Sequence, residues 1–164
     1  MLHAERECFV SAPDQVLAYR LRLSRKASVR IALACDYAHT TASDDHHLLL
    51  DAACPRNADQ LAAGGGVQYR MAAYIDHNGT AQPSGAAAVL SDVTGCTVYL
   101  AICSSFRRFD LLPDDETYAD RAVRQSEHAA GMGFDALRAR HVADHQSLFR
   151  RVSLELGDPV DAPT

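Results

Sequence analysis

The sequence lacks tryptophan altogether and has few aromatic residues, 7% of the chain. It has no apolar run near the roughly 20 residues that a membrane-spanning helix needs. Basic residues are not in excess either, because the formal charge is −5, which gives no broad positive field for a nucleic acid. The segment from Met1 to Arg6 has no apolar core of a signal peptide. We therefore expect no membrane segment, no nucleic-acid partner and a cytoplasmic location.

Paired cysteine motifs are also absent, although the chain has five cysteines. They are Cys8, Cys35, Cys54, Cys96 and Cys103, and no two of them form a CxxC pair. A zinc site needs two paired ligand clusters, which these spacings do not provide. Because four of the five stand in apolar stretches, we expect buried thiols that act as small hydrophobes in a reducing compartment, and no cofactor.

What the sequence does have is an alternation of apolar and polar residues, from the N-terminus to about Phe106. It is clearest over 16–23, 29–35, 67–75 and 96–102, and shorter stretches are 7–10, 48–52 and 87–90. Turn residues separate the stretches at 12–14, 44–45, 64–66, 77–79 and 94–95. Alternation places one row of side chains on each face of a strand. With no helical pattern between them, these strands predict an antiparallel β-sandwich over residues 1–110.

After Phe106 the periodicity becomes helical. A proline followed by three acidic residues predicts a helix start at Leu112, and the glycines at 131 and 133 should end this helix near Met132. A second helix is predicted over 134–150.

The remaining residues predict a final strand over 152–156 and a linker-like tail over 158–164. The chain thus divides into a sandwich portion, a segment of linker helices with a final strand at 111–157, and the tail.

His141 and His145 lie one turn apart on the second predicted helix, a spacing that can chelate a metal. The position after His141, where a zincin carries its catalytic glutamate, holds Val142. Both histidines fall on an apolar stripe with Phe134, Leu137 and Leu148. We interpret them as hydrogen-bonded residues beneath a packed interface, with a metal site as the alternative.

Other polar clusters have simpler interpretations. The contiguous run Asp44–His47 has metal-ligand residue types but is expected to form a solvated loop tip. Gly64–Gly66 precedes a strand and lacks the lysine and serine of a phosphate loop. The pair Ser104 and Ser105 stands outside a GxSxG motif, and Asp114–Glu116 fits a helix start. We therefore predict no catalytic residue in this chain.

Three segments, in order, resemble one protein family: residues 6–21 (RECFVSAPDQVLAYRL), 97–106 (TVYLAICSSF) and 141–157 (HVADHQSLFRRVSLELG). They are similar to the REvF strand, the late strand ending in TSF and the H..Dyq.LFdRVsl.LG segment of glycoside hydrolase family 95, the α-L-fucosidase and related α-galactosidase group. Residues 66–71 are similar to the GmrF strand of the same N-terminal domain. The departures are Tyr69, Ser104, His145 and Arg150, where the family has phenylalanine, threonine, tyrosine and aspartate.

The resemblance implies a non-catalytic N-terminal region of a glycosidase that acts in carbohydrate breakdown. Its expected partner is a catalytic helical barrel, absent from this chain, which the region would brace and which would hydrolyse its substrate with inversion. In that family further strands precede the REvF segment, so the resemblance implies an incomplete, supersandwich-like β-sandwich followed by two linker helices. Exposed strand edges then predict self-association, or closure of the sandwich by the helices.

Two alternatives stay open. One is a free-standing carbohydrate-binding or interaction sandwich, with an oligosaccharide as ligand. The other is a metal-dependent hydrolase that uses His141 and His145.

Overall fold

The computed structural model describes residues 1–54, 66–111, 114–151, 153–154 and 157. Its strands are β1 (Ala4–Ser11), β2 (Val16–Ala32), β3 (His39–Ser43), β4 (His47–Cys54), β5 (Val67–His77), β6 (Thr80–Ser84) and β7 (Ala87–Ser104). Two helices follow, α1 (Tyr118–Met132) and α2 (Phe134–Phe149). The predicted class, mostly antiparallel β with two C-terminal helices, is confirmed.

The strands pair in the order β1-β2-β7-β5-β4-β3, and β6 pairs with β7. The ladder between the long strands β2 and β7 shifts register between Arg22 and Ala27. Because such an irregularity bends a strand pair, β2 and β7 contribute to two layers. The larger layer holds β1, β3, β4 and β5, and the smaller holds β6. Leu48 and Ile75 of the larger layer share a buried cluster with Leu90 of the smaller one, which is face-to-face sandwich packing.

This bend corrects the predicted strand boundaries. The stretches 16–23 and 29–35 lie largely on the single strand β2, and 87–90 and 96–102 lie on the single strand β7. The predicted turn at 94–95 lies inside β7, where Gly95 pairs with Arg22. A Cβ on Gly95 would lie 2.8 Å from the carbonyl oxygen of Leu21. The glycine therefore permits a close approach of β7 to β2 instead of a chain reversal.

The alternation does not predict β3 and β6. The side chains of β3 are almost all exposed, so the strand has no buried row to mark it. β6 contains Pro83, which favours an edge position and is unusual inside a sheet.

The second face of the larger layer carries the helices. Ala72 of β5 and Cys103 of β7 share a buried cluster with Ala122 of α1. The next residue of β5, Ala73, belongs to the cluster between the two layers, so the alternation places successive side chains in different cores. The helices thus cover one face of the sheet, as an incomplete sandwich closed by helices requires. Self-association stays a prediction.

The helix boundaries agree with the sequence except at the start of α1, which begins at Tyr118 and not at Leu112. Residues 112 and 113 lie outside the described residues. Gly133, with φ of 79°, separates α1 from α2 as predicted, whereas Gly131 lies within α1. Ser153 and Leu154 of the predicted final strand are not in a strand.

The rest of that strand, the tail at 158–164 and two of the three glycines at 64–66 lie outside the described residues. Cys96 and Cys103 are buried as expected, whereas the expectation is wrong for Cys8, which is exposed, and for Cys35, which is only half-buried. No helix in the described part of the chain is long and apolar enough to cross a membrane.

Asp115 delays the start of α1 and joins the helix to the end of β7. Its Oδ1 accepts hydrogen bonds from the backbone N–H and the hydroxyl of Thr117, at 2.9 and 2.7 Å. Arg121 donates to Oδ2 of Asp115 and, at 3.2 Å, to the carbonyl oxygen of Ser104. The Arg121 guanidinium and the Thr117 donors hold the pKa of Asp115 well below its usual range.

We expect Asp115→Asn to lower the free energy of unfolding near neutral pH. We also expect the free energy of unfolding of the variant to fall less steeply than that of the wild type as the pH is lowered. The pKa of an unfolded aspartate is about 3.9. Because the folded pKa is lower, the ionised carboxylate stabilises the fold above that value, and its contribution declines as the pH falls towards the folded pKa. Urea denaturation at about pH 7 and about pH 3 measures both effects. The difference between wild type and variant should shrink at the lower pH, and an equal difference at both would contradict the assignment.

Candidate functional site

α2 is fastened to the edge strand β1 by a buried aromatic contact. Phe134 is 5% exposed and meets Phe9 of β1 edge-on, with 5.1 Å between the ring centroids. The guanidinium of Arg20 on β2 lies 3.9 Å from the centroid of the Phe134 ring. Leu137, one turn later, is fully buried in the same cluster. The first turns of α2 are therefore part of the core on the helix side of the sheet.

Charged side chains surround this contact and fix the direction of α2. Glu7 of β1 accepts hydrogen bonds from Arg138 of α2 and, at 3.0 Å, from Arg20. The Arg138 guanidinium lowers the pKa of Glu7, and burial opposes this shift. Arg20 also donates to Asp135 at 2.8 Å. The sequence analysis misses these residues because the partners are separated by up to 131 positions, which no local spacing reveals.

The structure brings His141 and His145 near each other, with 6.1 Å between their ring centroids. His141 stacks on Phe9 at 5.0 Å, and His145 stacks on Phe149 at 5.3 Å. No group of three or more His, Cys, Asp or Glu side chains among the described residues is placed to hold a metal. Within the chain itself His141 is half-buried and His145 is exposed, so the position of the pair beneath an interface stays a prediction.

The residues after His141 explain this exposure. Among the described residues, His141 on Phe9 is the last stack between a ring of α2 and a ring of the sheet. We call His145–Phe149 the free end of α2. Its apolar members Leu148 and Phe149 are 58% and 73% exposed. Apolar side chains exposed together in this way are typical of a protein–protein or interdomain surface.

Asp44, Asp45 and His46 form the turn between β3 and β4, as expected of a loop tip, and His47 begins β4. Asp44 Oδ1 accepts hydrogen bonds from the backbone N–H groups of His46 and His47, at 2.8 and 2.7 Å. A solvated position is wrong for the His47 side chain, which is only 22% exposed. Its Nδ1 lies 3.0 Å from Asp44, and its Nε2 lies 3.3 Å from Glu127 of α1. His47 thus lies between the turn and α1, with Nδ1 at hydrogen-bond distance from Asp44 and Nε2 buried without a hydrogen-bond partner among the described residues.

Among the remaining sequence candidates, Ser105 and Asp115 have structural partners. Ser104 ends β7, and the buried hydroxyl of Ser105 accepts a hydrogen bond from the backbone N–H of Gln68 at 3.0 Å. The Asp115 carboxylate accepts hydrogen bonds from Thr117 and Arg121. The candidate functional surface is therefore the free end of α2, on a helix whose first turns are packed on the sheet.

Comparison with protein families gives a match over the whole of the described sheet. The family described as glycosyl hydrolase family 65, N-terminal domain, matches residues 2–108. The matched range includes every strand from β1 to β7 and ends before α1. No curated protein matches the chain.

Proposed function

The chain belongs to the family of glycosyl hydrolase family 65 N-terminal domains, and we propose that it braces the catalytic helical barrel of a glycoside hydrolase. In this proposal the chain itself is non-catalytic. The acid and base groups would lie in the barrel, and the sandwich would hold the barrel in position through α2.

The observation that carries the bracing role is the contrast between the two ends of α2. Phe134 is packed on Phe9 and ringed by ion pairs, so the helix has one fixed direction relative to the sandwich. Leu148 and Phe149 project from this fixed base with most of their apolar surface exposed. A rigid helix with an apolar tip suits an interdomain contact, because little conformational entropy is lost when it docks.

We propose an α-L-fucoside as the substrate of the parent enzyme. This assignment rests on the segments 6–21, 97–106 and 141–157, which resemble the fucosidase group of family 95. The match to family 65 supports a glycoside hydrolase but does not identify the sugar. The choice of fucose therefore rests on these segments alone.

The coding sequence around the chain tests the bracing role directly. A helical barrel encoded downstream is expected, and a reading frame without one would contradict the proposal. The chain alone should release no nitrophenol from 4-nitrophenyl α-L-fucoside, and clear turnover would overturn the non-catalytic assignment. The protein that carries the barrel should hydrolyse this substrate. Hydrolysis of a different nitrophenyl glycoside would reject the fucoside and keep the bracing role.

In the protein that carries the barrel, Phe149→Ser should weaken docking by about 1 kcal/mol or more, because it removes an apolar anchor from the interface. The measurement is the thermal midpoint of the barrel, together with the activity remaining after heating. Val89→Ser is the matched control, since Val89 is also an exposed apolar residue, 37% exposed, but lies on the smaller layer. Equal effects of the two substitutions would contradict docking through the free end of α2.

A further inference from the structure

A polar groove crosses β2, β7 and β5 on the helix side of the sheet, next to the start of α2. Its centre is the row formed by Arg20, Thr97 and Asp76, which are paired across the three strands. Arg22 and Gly95 form the neighbouring row. The groove has a volume of about 350 Å³, at the lower end of the range of about 300–1,000 Å³ for small-molecule sites.

The backbone gives this groove a fixed shape. Gly95 has no side chain to fill the floor, and the close approach of Leu21 excludes a Cβ there. At the end of the groove, Asn78 donates to the hydroxyl of Thr94 at 2.6 Å and accepts from its backbone N–H at 3.1 Å. The floor and this end are therefore held in place without a ligand.

The two walls have opposite hydrogen-bonding character. Arg20 and Arg22 supply donors from β2, and Asp76 supplies acceptors from β5. Arg20 is already neutralised by Glu7 and Asp135. In the part of the chain that the structure describes, Arg22 and Asp76 are exposed, and no ion pair is formed by either. One free positive charge and one free negative charge therefore face the same groove.

We propose that this groove binds a neutral saccharide. The two free charges have opposite signs, so the groove has no net attraction for an anion or a cation, whereas sugar hydroxyls both donate and accept and so satisfy both walls. The selection of a saccharide among neutral hydroxylated ligands rests on the proposed function. Among the described residues, no Phe, Tyr or Trp lines the groove to offer a stacking surface for a sugar, and we expect dissociation constants of the order of 1 mM.

The test is a titration of the isotope-labelled chain with L-fucose, D-galactose and D-glucose, followed by amide NMR shifts. We expect saturable shifts for at least one sugar, centred on Arg22, Asp76 and Gly95. Arg22→Ala and Asp76→Asn should each weaken binding about tenfold or more, because each removes a charged hydrogen-bonding partner. Arg30→Ala is the matched control, since Arg30 is an exposed arginine of the same strand on the smaller layer.

Shifts outside the groove, or equal affinity of Arg22→Ala and Asp76→Asn with wild type, would overturn the proposal. Binding of inorganic phosphate in place of sugars would make the groove an anion site and would overturn it as well. Thermal melts of each variant exclude unfolding as the cause of lost binding. The two proposals can fail separately. A barrel in the reading frame with no sugar binding rejects only the groove, and sugar binding without a barrel rejects only the bracing role.

Discussion

Leu90→Ala is expected to lower the free energy of unfolding by about 2–5 kcal/mol. Leu90 is fully buried and lies on the half of β7 that belongs to the smaller layer. It shares a cluster with Leu48 and Ile75 of the larger layer, so its side chain joins the two layers. Truncation loses the transfer free energy of the side chain and leaves a cavity between rigid strands that cannot close easily. Urea denaturation followed by circular dichroism measures the effect.

The adjacent residue provides the control. Val89 precedes Leu90 on the same strand but points to the opposite side and is 37% exposed. Val89→Ala should change stability by no more than about 0.5 kcal/mol. Similar losses for both variants would mean that the smaller layer does not pack on the larger one as a sandwich half.

The alternation of apolar residues predicts this core well but not the connection of its layers. Leu21, Ile75 and Cys96 fall on the expected rows and are buried. The polar stretch 24–28 and the glycine at position 95 look like chain breaks in the sequence. In the structure they lie where β2 and β7 bend together, since a bulge needs the same small and polar residues as a turn. Local pattern alone does not distinguish a bent strand from two strands joined by a turn.

The candidate site, like the core, is only partly predictable from the sequence. The helical stripe correctly places Phe134 and Leu137 in the core. The same stripe continues through His145 and Leu148, which are exposed. Periodicity shows which face of a helix is apolar, but not how far the neighbouring sheet extends beneath it. The ion pairs of Arg20 with Glu7 and Asp135 depend on the folded topology, and no spacing in the sequence indicates them.

The second large effect is expected for Phe134→Ala, about 3–5 kcal/mol of unfolding free energy. The Phe134 ring centroid lies 5.1 Å from that of Phe9 and 3.9 Å from the Arg20 guanidinium. Removal of the ring therefore takes away a packing contact of both Phe9 and Arg20. The ion pairs between α2 and the sheet are too solvent-exposed to compensate, because Asp135 is 82% exposed. Denaturation curves should therefore shift strongly. Amide exchange should show α2 opening before the sandwich does.

Phe149→Ala is the control on the same helix. With 73% of its surface exposed, Phe149 contributes little to the isolated fold, and its truncation should change stability by no more than about 0.5 kcal/mol. In the protein that carries the barrel, Phe149→Ala should impair docking of the barrel while the sandwich stays intact. Phe134→Ala should impair both the docking and the stability of the sandwich. A large loss of stability for Phe149→Ala in the isolated chain would show that the free end of α2 packs on the sandwich itself, and would remove the main support for its docking role.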